Sequence, residues 1–237
     1  MDAGIALAEE IRVQLGRIGD PVRAVGQQRY MKSEMPYRGV NTAQHRALMR
    51  ELLRRDTFAL PTADAWERTI RDLFDNAAFR EERYAALGVA GHRPYSSWSS
   101  RMESLPLYEH LIREGAWWDL VDSTSPMVGT VLRAHPDAAA AVLRLWANDD
   151  SVWVRRASIT CQLAFKGDTD VELLVDTITP SLDDPDFFAR KAIGWALRQY
   201  ARTDPEWVRG YVSELDARLS PLSRREAMKH LGTRDSG

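Results

Sequence analysis

Cysteine is nearly absent from this chain of 237 residues, which contains only Cys161. A single thiol excludes an internal disulfide and a zinc cluster built from several cysteines. Cys161 lies in the apolar run ITCQLAF, which predicts a buried, unreactive thiol rather than a nucleophile. This cysteine usage is typical of a protein from a reducing, cytoplasmic compartment.

Long apolar runs are also missing. No stretch of 18 apolar residues occurs, so we expect no transmembrane helix. The first 20 residues form an amphipathic, acid-containing pattern without the basic start, apolar centre and cleavage site of a signal peptide. The sequence therefore predicts a protein that does not act at a membrane.

The common catalytic motifs are absent as well. The sequence contains no HExxH, GxSxG or GxGxxG pattern, and no GxxxxGK followed by Ser or Thr. Its five histidines are scattered without the spacing of metal ligands. We therefore expect neither a metal ion nor an organic cofactor.

The net charge of −2 gives no overall attraction to nucleic acid. Phosphates sense charge mainly within about 8–10 Å, however, so local clusters matter more than the total. Residues 187–202 contain four basic side chains and no acid, and residues 218–230 contain four lysines or arginines and one acid. These clusters indicate a local DNA-binding face; the alternative is that they are ordinary solvated helix surfaces.

Apolar residues recur at spacings of three and four along most of the chain, and alternating β-branched stretches are scarce. Polar residues followed by proline, such as Asp20-Pro21 and Asp184-Pro185, punctuate this pattern. A polar cap before a proline at the first helical position is typical of a helix start. The sequence predicts an all-α fold of short helices joined by short turns.

An internal repeat is visible in the second half of the chain. The stretch DDSVWVRRA aligns with DPDFFARKA at an offset of 35 residues, which pairs Trp153 with Phe188 and also places Trp118 opposite Trp153. Repeats of roughly 35–45 residues with two helices each are typical of HEAT-like stacks. We predict a single-domain HEAT-like helical-repeat solenoid over residues 1–237, with a concave basic face for DNA.

Residues 88–104 interrupt the helical pattern with two glycines, a proline and five serines. This composition predicts a long loop inserted between helices. The loop carries Tyr95 and Trp98, for which two interpretations are open: they reach toward a ligand, or they pack back on the body of the protein.

The most informative chemical pattern is WWDLVDS at residues 117–123. On a helix, Trp118 and Asp122 share one face because they are four residues apart. A carboxylate beside a large indole suits a site that holds a cation; the alternative is a core tryptophan with a capping or ion-paired aspartate. Trp153 and Trp195 occupy comparable places in neighbouring repeats, which favours an aromatic-lined cleft with one carboxylate.

Such a cleft suits the hydrolysis of alkylated purine nucleotides. A purine alkylated at N3 or N7 is already cationic, so it leaves without a general acid while positive charge develops on the deoxyribose. One carboxylate stabilises that charge and orients a water. Aromatic faces attract the cationic groups, at about 0.5–2 kcal/mol per contact.

At these residues the sequence resembles the AlkD family of bacterial DNA alkylation-repair glycosylases. The similarity runs from about residue 28 to residue 231 and includes RYMK, YRG, WWDLVDS, both repeats and PLSRREAMKHL. It implies release of lesions such as 3-methyladenine and 7-methylguanine from duplex DNA without base flipping. The segment at residues 88–104 is longer than the corresponding segment usual in the family. This difference suggests that Tyr95 and Trp98 contact DNA or a bulky adduct.

Carried over residue by residue, the resemblance implies that Asp122 is the catalytic carboxylate and that Trp118 and Trp195 frame the sugar of the lesion. It places Arg156 on the DNA backbone and Tyr30 near the same cleft. The other residues expected to contact DNA are all basic: Lys32, Arg155, Arg190, Lys191 and Arg198. We expect the protein to act as a monomer.

Two other interpretations remain open. HEAT-like solenoids are often scaffolds, so the chain is alternatively a non-catalytic binder of damaged DNA or of a protein. Asp122 in its tryptophan setting favours the enzyme, because a scaffold does not need it. A third interpretation is a specialised enzyme that protects a cell from its own DNA-alkylating natural product.

Overall fold

The computed structural model describes residues 2–231, and every regular element within that range is helical. The all-α prediction is confirmed. The chain divides into two compact units, unit 1 (Met1–Ser99) and unit 2 (Ser100–Gly237). The prediction of a single domain over residues 1–237 stays a prediction. No helix in the described part of the chain is long and apolar enough to cross a membrane.

Unit 1 consists of α1 (Ala3–Ile18), α2 (Pro21–Met31), α3 (Thr42–Leu52), α4 (Ala63–Asp75), α5 (Arg80–Ala90) and α6 (Ser96–Ser99). Polar side chains cap the starts of the first four of these helices. Asp20 accepts hydrogen bonds from two backbone amides at the start of α2, and Asn41 forms a capping box with Gln44 at the start of α3. Helices α3 and α4 both pack on α1 and α5.

The prediction of a long loop at residues 88–104 is wrong. The segment begins inside α5 and continues through a 3₁₀ turn at Arg93–Tyr95, then α6, then a second 3₁₀ turn. The side chain of Tyr95 is buried. Its hydroxyl accepts a hydrogen bond from the Leu60 amide at 3.1 Å, and its ring stacks on Trp98 with the ring centroids 5.2 Å apart. Both rings therefore pack within unit 1, in agreement with the second interpretation.

Unit 2 stacks pairs of helices in two layers. Its helices are α7 (Leu105–Gly115), α8 (Trp118–Ala134), α9 (Pro136–Trp146), α10 (Val152–Thr160), α11 (Val171–Ile178), α12 (Phe187–Tyr200), α13 (Pro205–Leu215) and α14 (Pro221–Ala227). Helices α8, α10, α12 and α14 pack on one another in that order, and α9 and α11 pack together against this series. This arrangement agrees with the predicted helical-repeat solenoid.

Close contact between α8 and α10 depends on a glycine. A Cβ atom on Gly129 would lie 2.4 Å from the carbonyl oxygen of Cys161, so only glycine fits without a shift of backbone. Cys161 itself is buried, and burial raises the pKa of its thiol to about 12. The predicted unreactive cysteine is consistent with this environment.

The sequence repeat corresponds to a structural repeat at the starts of α10 and α12. In the turn before each helix an aspartate, Asp149 or Asp184, accepts a hydrogen bond from the amide two residues later at 2.8 Å. In the first turns of the helices Arg155 and Arg190 fold back and donate to the carbonyls of these aspartates. The aligned residues therefore stabilise the turn that precedes each helix.

Candidate active site

The candidate site is organised around Asp122, in the second turn of α8. Arg156 approaches it from the equivalent place in α10 and binds it through two parallel hydrogen bonds. The Nε atom donates to Oδ1 at 2.7 Å, and Nη2 donates to Oδ2 at 2.8 Å. The Asp122 side chain keeps 16% of its surface exposed, whereas Arg156 keeps 6%. A planar guanidinium therefore fixes the plane of a carboxylate that still reaches the surface.

Arg156 makes a third bond that connects the site to the next helix. Its Nη1 atom donates to the carbonyl oxygen of Phe188, at the start of α12, at 2.8 Å. All three nitrogen atoms of the guanidinium thus donate within the protein, and the side chain is buried. These three bonds give Arg156 a role within the protein, and its expected contact with the DNA backbone stays a prediction.

The two predicted tryptophans lie on different helices, α8 for Trp118 and α12 for Trp195. Trp195, in α12, lies with its ring centroid 5.9 Å from Cζ of Arg156 and is half-buried. Trp118 is the first residue of α8, one turn before Asp122, so the two residues share a helix face. The structure thus links Asp122 and Trp195 through Arg156, and places Trp118 on the helix that carries the carboxylate.

An aromatic cluster joins the starts of α8, α10 and α12. The ring of Trp153 lies 5.8 Å from Trp117 and 4.8 Å from Phe188, and Phe187 packs against Phe188 at 5.3 Å. The ring that meets Trp153 therefore belongs to Trp117, not to Trp118 as the 35-residue offset suggested. Because Phe188 also supplies the carbonyl bonded to Arg156, this cluster holds the candidate site in place.

Two arginines of the expected basic face, Arg155 and Arg190, are bonded within the protein. Arg155 pairs with Asp184 at 2.6 Å and also donates to the carbonyls of Asp149 and Asp150, while Arg190 donates to the Asp184 carbonyl. Both guanidiniums are engaged with the turns between helices. Their predicted contact with DNA stays untested, but their first role is to hold the repeat together.

Lys191 and Arg198 share one acid on α14. Lys191 lies 3.0 Å from Oε1 of Glu226, and Arg198 bonds to Oε2 of the same carboxylate. The hydrogen bond from Lys191 and the nearby positive charges hold the pKa of Glu226 below its usual value. Glu226 thus offsets part of the positive charge of Lys191 and Arg198, and their predicted contact with DNA stays a prediction.

In unit 1, the two predicted DNA contacts lie at the end of α2. Tyr30 is 77% exposed, and Lys32, also exposed, caps the helix in a left-handed conformation with φ of 51°. Both side chains are accessible to a ligand. Their role in DNA binding stays a prediction.

The YRG motif has a structural explanation in Glu81, which sequence reasoning missed. The amides of Arg38, Gly39 and Val40 all donate to its carboxylate at distances of 2.9–3.1 Å. Gly39 has φ of +83°, and a Cβ atom there would lie 1.9 Å from the Asp20 carbonyl. The motif thus forms a tight turn around a buried acid.

Sequence reasoning also missed the partnership of Asp122 with Arg156. The signal was present: the two residues are 34 positions apart, close to the repeat period, and both lie in the second turn of their helices. Equivalent positions of stacked repeats are neighbours. An aspartate and an arginine at such positions are therefore expected to pair.

Comparisons with known proteins identify the family to which the chain belongs. A model of the DNA alkylation repair enzyme family matches residues 11–231. Among solved structures, the chain is similar to a predicted DNA alkylation repair enzyme from Enterococcus faecalis, with 29% identity and a TM-score of 0.81 over 91% of this chain and 97% of the other. No curated protein sequence matches. Since the family match includes α8, α10 and α12 and nearly all the rest of the chain, this protein belongs to the DNA alkylation repair enzyme family.

Proposed function

We propose that the protein is a monofunctional DNA glycosylase that hydrolyses the N-glycosidic bond of cationic N3- or N7-alkylated purines in duplex DNA. The observation that carries this proposal is the geometry of Asp122. Its carboxylate is partly exposed, and Arg156 holds it in one orientation.

The pairing with Arg156 leaves Asp122 able to bind a second cation. An ionised carboxylate has about four acceptor positions, two on each oxygen. Arg156 uses one on each oxygen, so one on each remains. Because the orientation is already fixed, the carboxylate does not have to reorganise when positive charge develops nearby.

Besides the oriented carboxylate, the reaction needs the cationic purine as leaving group and a water molecule. The bond between C1′ and the purine nitrogen breaks, and its electron pair leaves with the cationic purine, which becomes neutral. Asp122 stabilises the positive charge on the sugar, as carboxylates do at oxocarbenium-like transition states. A water oxygen then bonds to C1′ and gives its proton to Asp122 or to solvent.

Trp118 and Trp195 would supply the aromatic faces of the cleft. A tryptophan face attracts a cation with about 0.5–2 kcal/mol. Both side chains are half-buried and therefore offer part of their surface to a ligand. The family resemblance supports recognition of the lesion without base flipping, and an open cleft of this kind would also accept a bulky N3-alkyladenine.

The proposal is tested by single-turnover release of base from duplexes that contain 7-methylguanine, 3-methyladenine or a bulky N3-alkyladenine. We expect release by the natural protein and a rate lower by roughly 10²–10³-fold in Asp122→Asn. Asp119→Asn is the matched control, since Asp119 lies on the same helix three residues away. Binding of the duplexes without release of any base would instead support the scaffold interpretation.

A further inference from the structure

Three arginines form an exposed stripe along α3 and the turn that follows it. Arg46 and Arg50 lie on α3, and Arg54 lies four residues further on, where its amide still bonds to the Glu51 carbonyl. All three side chains are exposed. Residues four apart on a helix are neighbours on its surface, so the three guanidiniums share one side. We call these residues the arginine stripe.

The arginine stripe differs from most of the arginines around it. Arg55 pairs with Glu51, Arg71 with Glu67 and Arg38 with Glu82. Within residues 2–231, no residue of the stripe forms a salt bridge with a carboxylate. Glu51 lies between Arg50 and Arg54 in sequence but pairs with Arg55. Positive charge outside any ion pair is a candidate site for an anionic ligand.

Small side chains lie between the arginines, and the opposite side of α3 is buried. Ala43 and Ala47, both exposed, lie on the same side of α3 as the arginines, so small side chains lie between the guanidiniums. The opposite side of the helix carries the buried residues Leu48, Met49 and Leu52. The helix is therefore anchored on its apolar side and presents the stripe to solvent.

The dimensions of the stripe suit a nucleic-acid backbone. Eight residues of helix span about 12 Å. Phosphates along one strand of a duplex recur about every 3.4 Å of axis, so the stripe extends over roughly three to four of them. Arginine binds phosphate with two parallel hydrogen bonds and carries no preference for sequence in such contacts.

We propose that the arginine stripe is a phosphate-binding site by which unit 1 holds the backbone of duplex DNA. The inference rests on the proposed function for the identity of the ligand as duplex DNA. It assigns sequence-independent affinity to Arg46, Arg50 and Arg54. The basic residues predicted from unit 2 are, by contrast, mostly engaged with acids.

The test is the salt dependence of binding to a short undamaged duplex, followed by fluorescence anisotropy. The natural protein is compared with the triple variant R46Q/R50Q/R54Q. Loss of three phosphate contacts is expected to reduce the slope of log K against log salt by about 2–3, and to weaken binding about 10- to 100-fold near 0.1 M salt. The matched control, R17Q/R68Q/R71Q, removes the same charge from α1 and α4 and is expected to change the slope by less than about 1.

A slope in the stripe variant equal to that of the control overturns the proposal, and an acidic protein surface then becomes the ligand to test. The circular dichroism of both variants shows that each is folded. Base release by the natural protein, measured separately, keeps the two proposals distinguishable. If base is released and the salt slope of the stripe variant does not fall, the phosphate-binding proposal is wrong and the glycosylase proposal is supported. If the slope falls and no base is released, the arginine stripe binds phosphate and the glycosylase proposal is wrong.

Discussion

Two carboxylates, one in each unit, are held in opposite ways. Glu81 in unit 1 is 1% exposed, and backbone amides of three consecutive residues donate to its oxygens. Asp122 in unit 2 keeps 16% of its side chain exposed and accepts hydrogen bonds from a single arginine. The first carboxylate is closed on all sides, and the second is left open on one.

The difference follows from what each charge does. A buried charge is tolerated only when hydrogen bonds replace its water, which is the case for Glu81. Asp122 has a partner that fixes its orientation but does not use all of its acceptor positions. A closed carboxylate therefore stabilises a turn, whereas an open, oriented carboxylate is available to a cationic ligand.

Among the variants that test this comparison, those of Arg156 are expected to slow base release most, after those of Asp122. Without the guanidinium, the Asp122 carboxylate loses its fixed orientation, so Arg156→Ala should slow release of 7-methylguanine by about 100-fold. Arg156→Lys keeps the charge without the paired geometry and should recover only part of the rate. Single-turnover kinetics at saturating protein measure both.

The same variants separate positioning from DNA binding. If Arg156 positions Asp122, the rate constant falls while the salt dependence of binding to undamaged duplex stays as in the natural protein. A lower salt slope with an unchanged rate constant would show that Arg156 contacts phosphate, as the family resemblance implied.

Glu81→Gln probes the closed carboxylate. The substitution removes charge-assisted bonds to three amides, so we expect a loss of about 2–3 kcal/mol in the free energy of unfolding. Urea denaturation measures it, and the release rate per folded molecule should stay within about twofold, since Glu81 supports a turn only. The control is Glu51→Gln, at an exposed ion pair worth less than about 1 kcal/mol. Equal losses in the two variants would contradict the structural role of Glu81.

Trp195 tests the aromatic side of the open carboxylate. Trp195→Leu removes an aromatic face worth about 0.5–2 kcal/mol to a cation, which corresponds to release of 7-methylguanine slowed by about 2- to 30-fold. Trp195→Phe keeps a smaller aromatic face and should slow release less. Identical rates for the two variants would remove the cation–π contribution from the account.

The helices and their repeat were predictable because their causes are local. Polar caps before proline and apolar residues at spacings of three and four mark helix starts and buried faces directly. The aligned aspartates Asp149 and Asp184 mark the turns before α10 and α12, and the aligned alanines Ala157 and Ala192 are fully buried. Position in the sequence was sufficient for these features.

Compensation of charge was not predictable from composition or from local spacing; for Asp122 and Arg156, only the repeat period of about 35 residues indicates the pairing. The sequence counts Lys191 in a basic cluster and the family resemblance places Arg156 on DNA, but their carboxylate partners, Glu226 and Asp122, come from helices about 35 residues away. The same holds for Tyr95, whose partner is the Leu60 amide on another segment. The packing of the helices determines which groups the long side chains contact, and composition does not reveal that packing.

Asp122→Asn tests the central claim most directly. The measurement is the single-turnover rate constant for release of 7-methylguanine from duplex DNA, at protein concentrations that saturate the substrate. An open, oriented carboxylate at the reacting sugar predicts a rate at least about 100-fold below that of the natural protein, with Asp119→Asn within about threefold of it. A rate for Asp122→Asn that matches the Asp119→Asn control would contradict the claim.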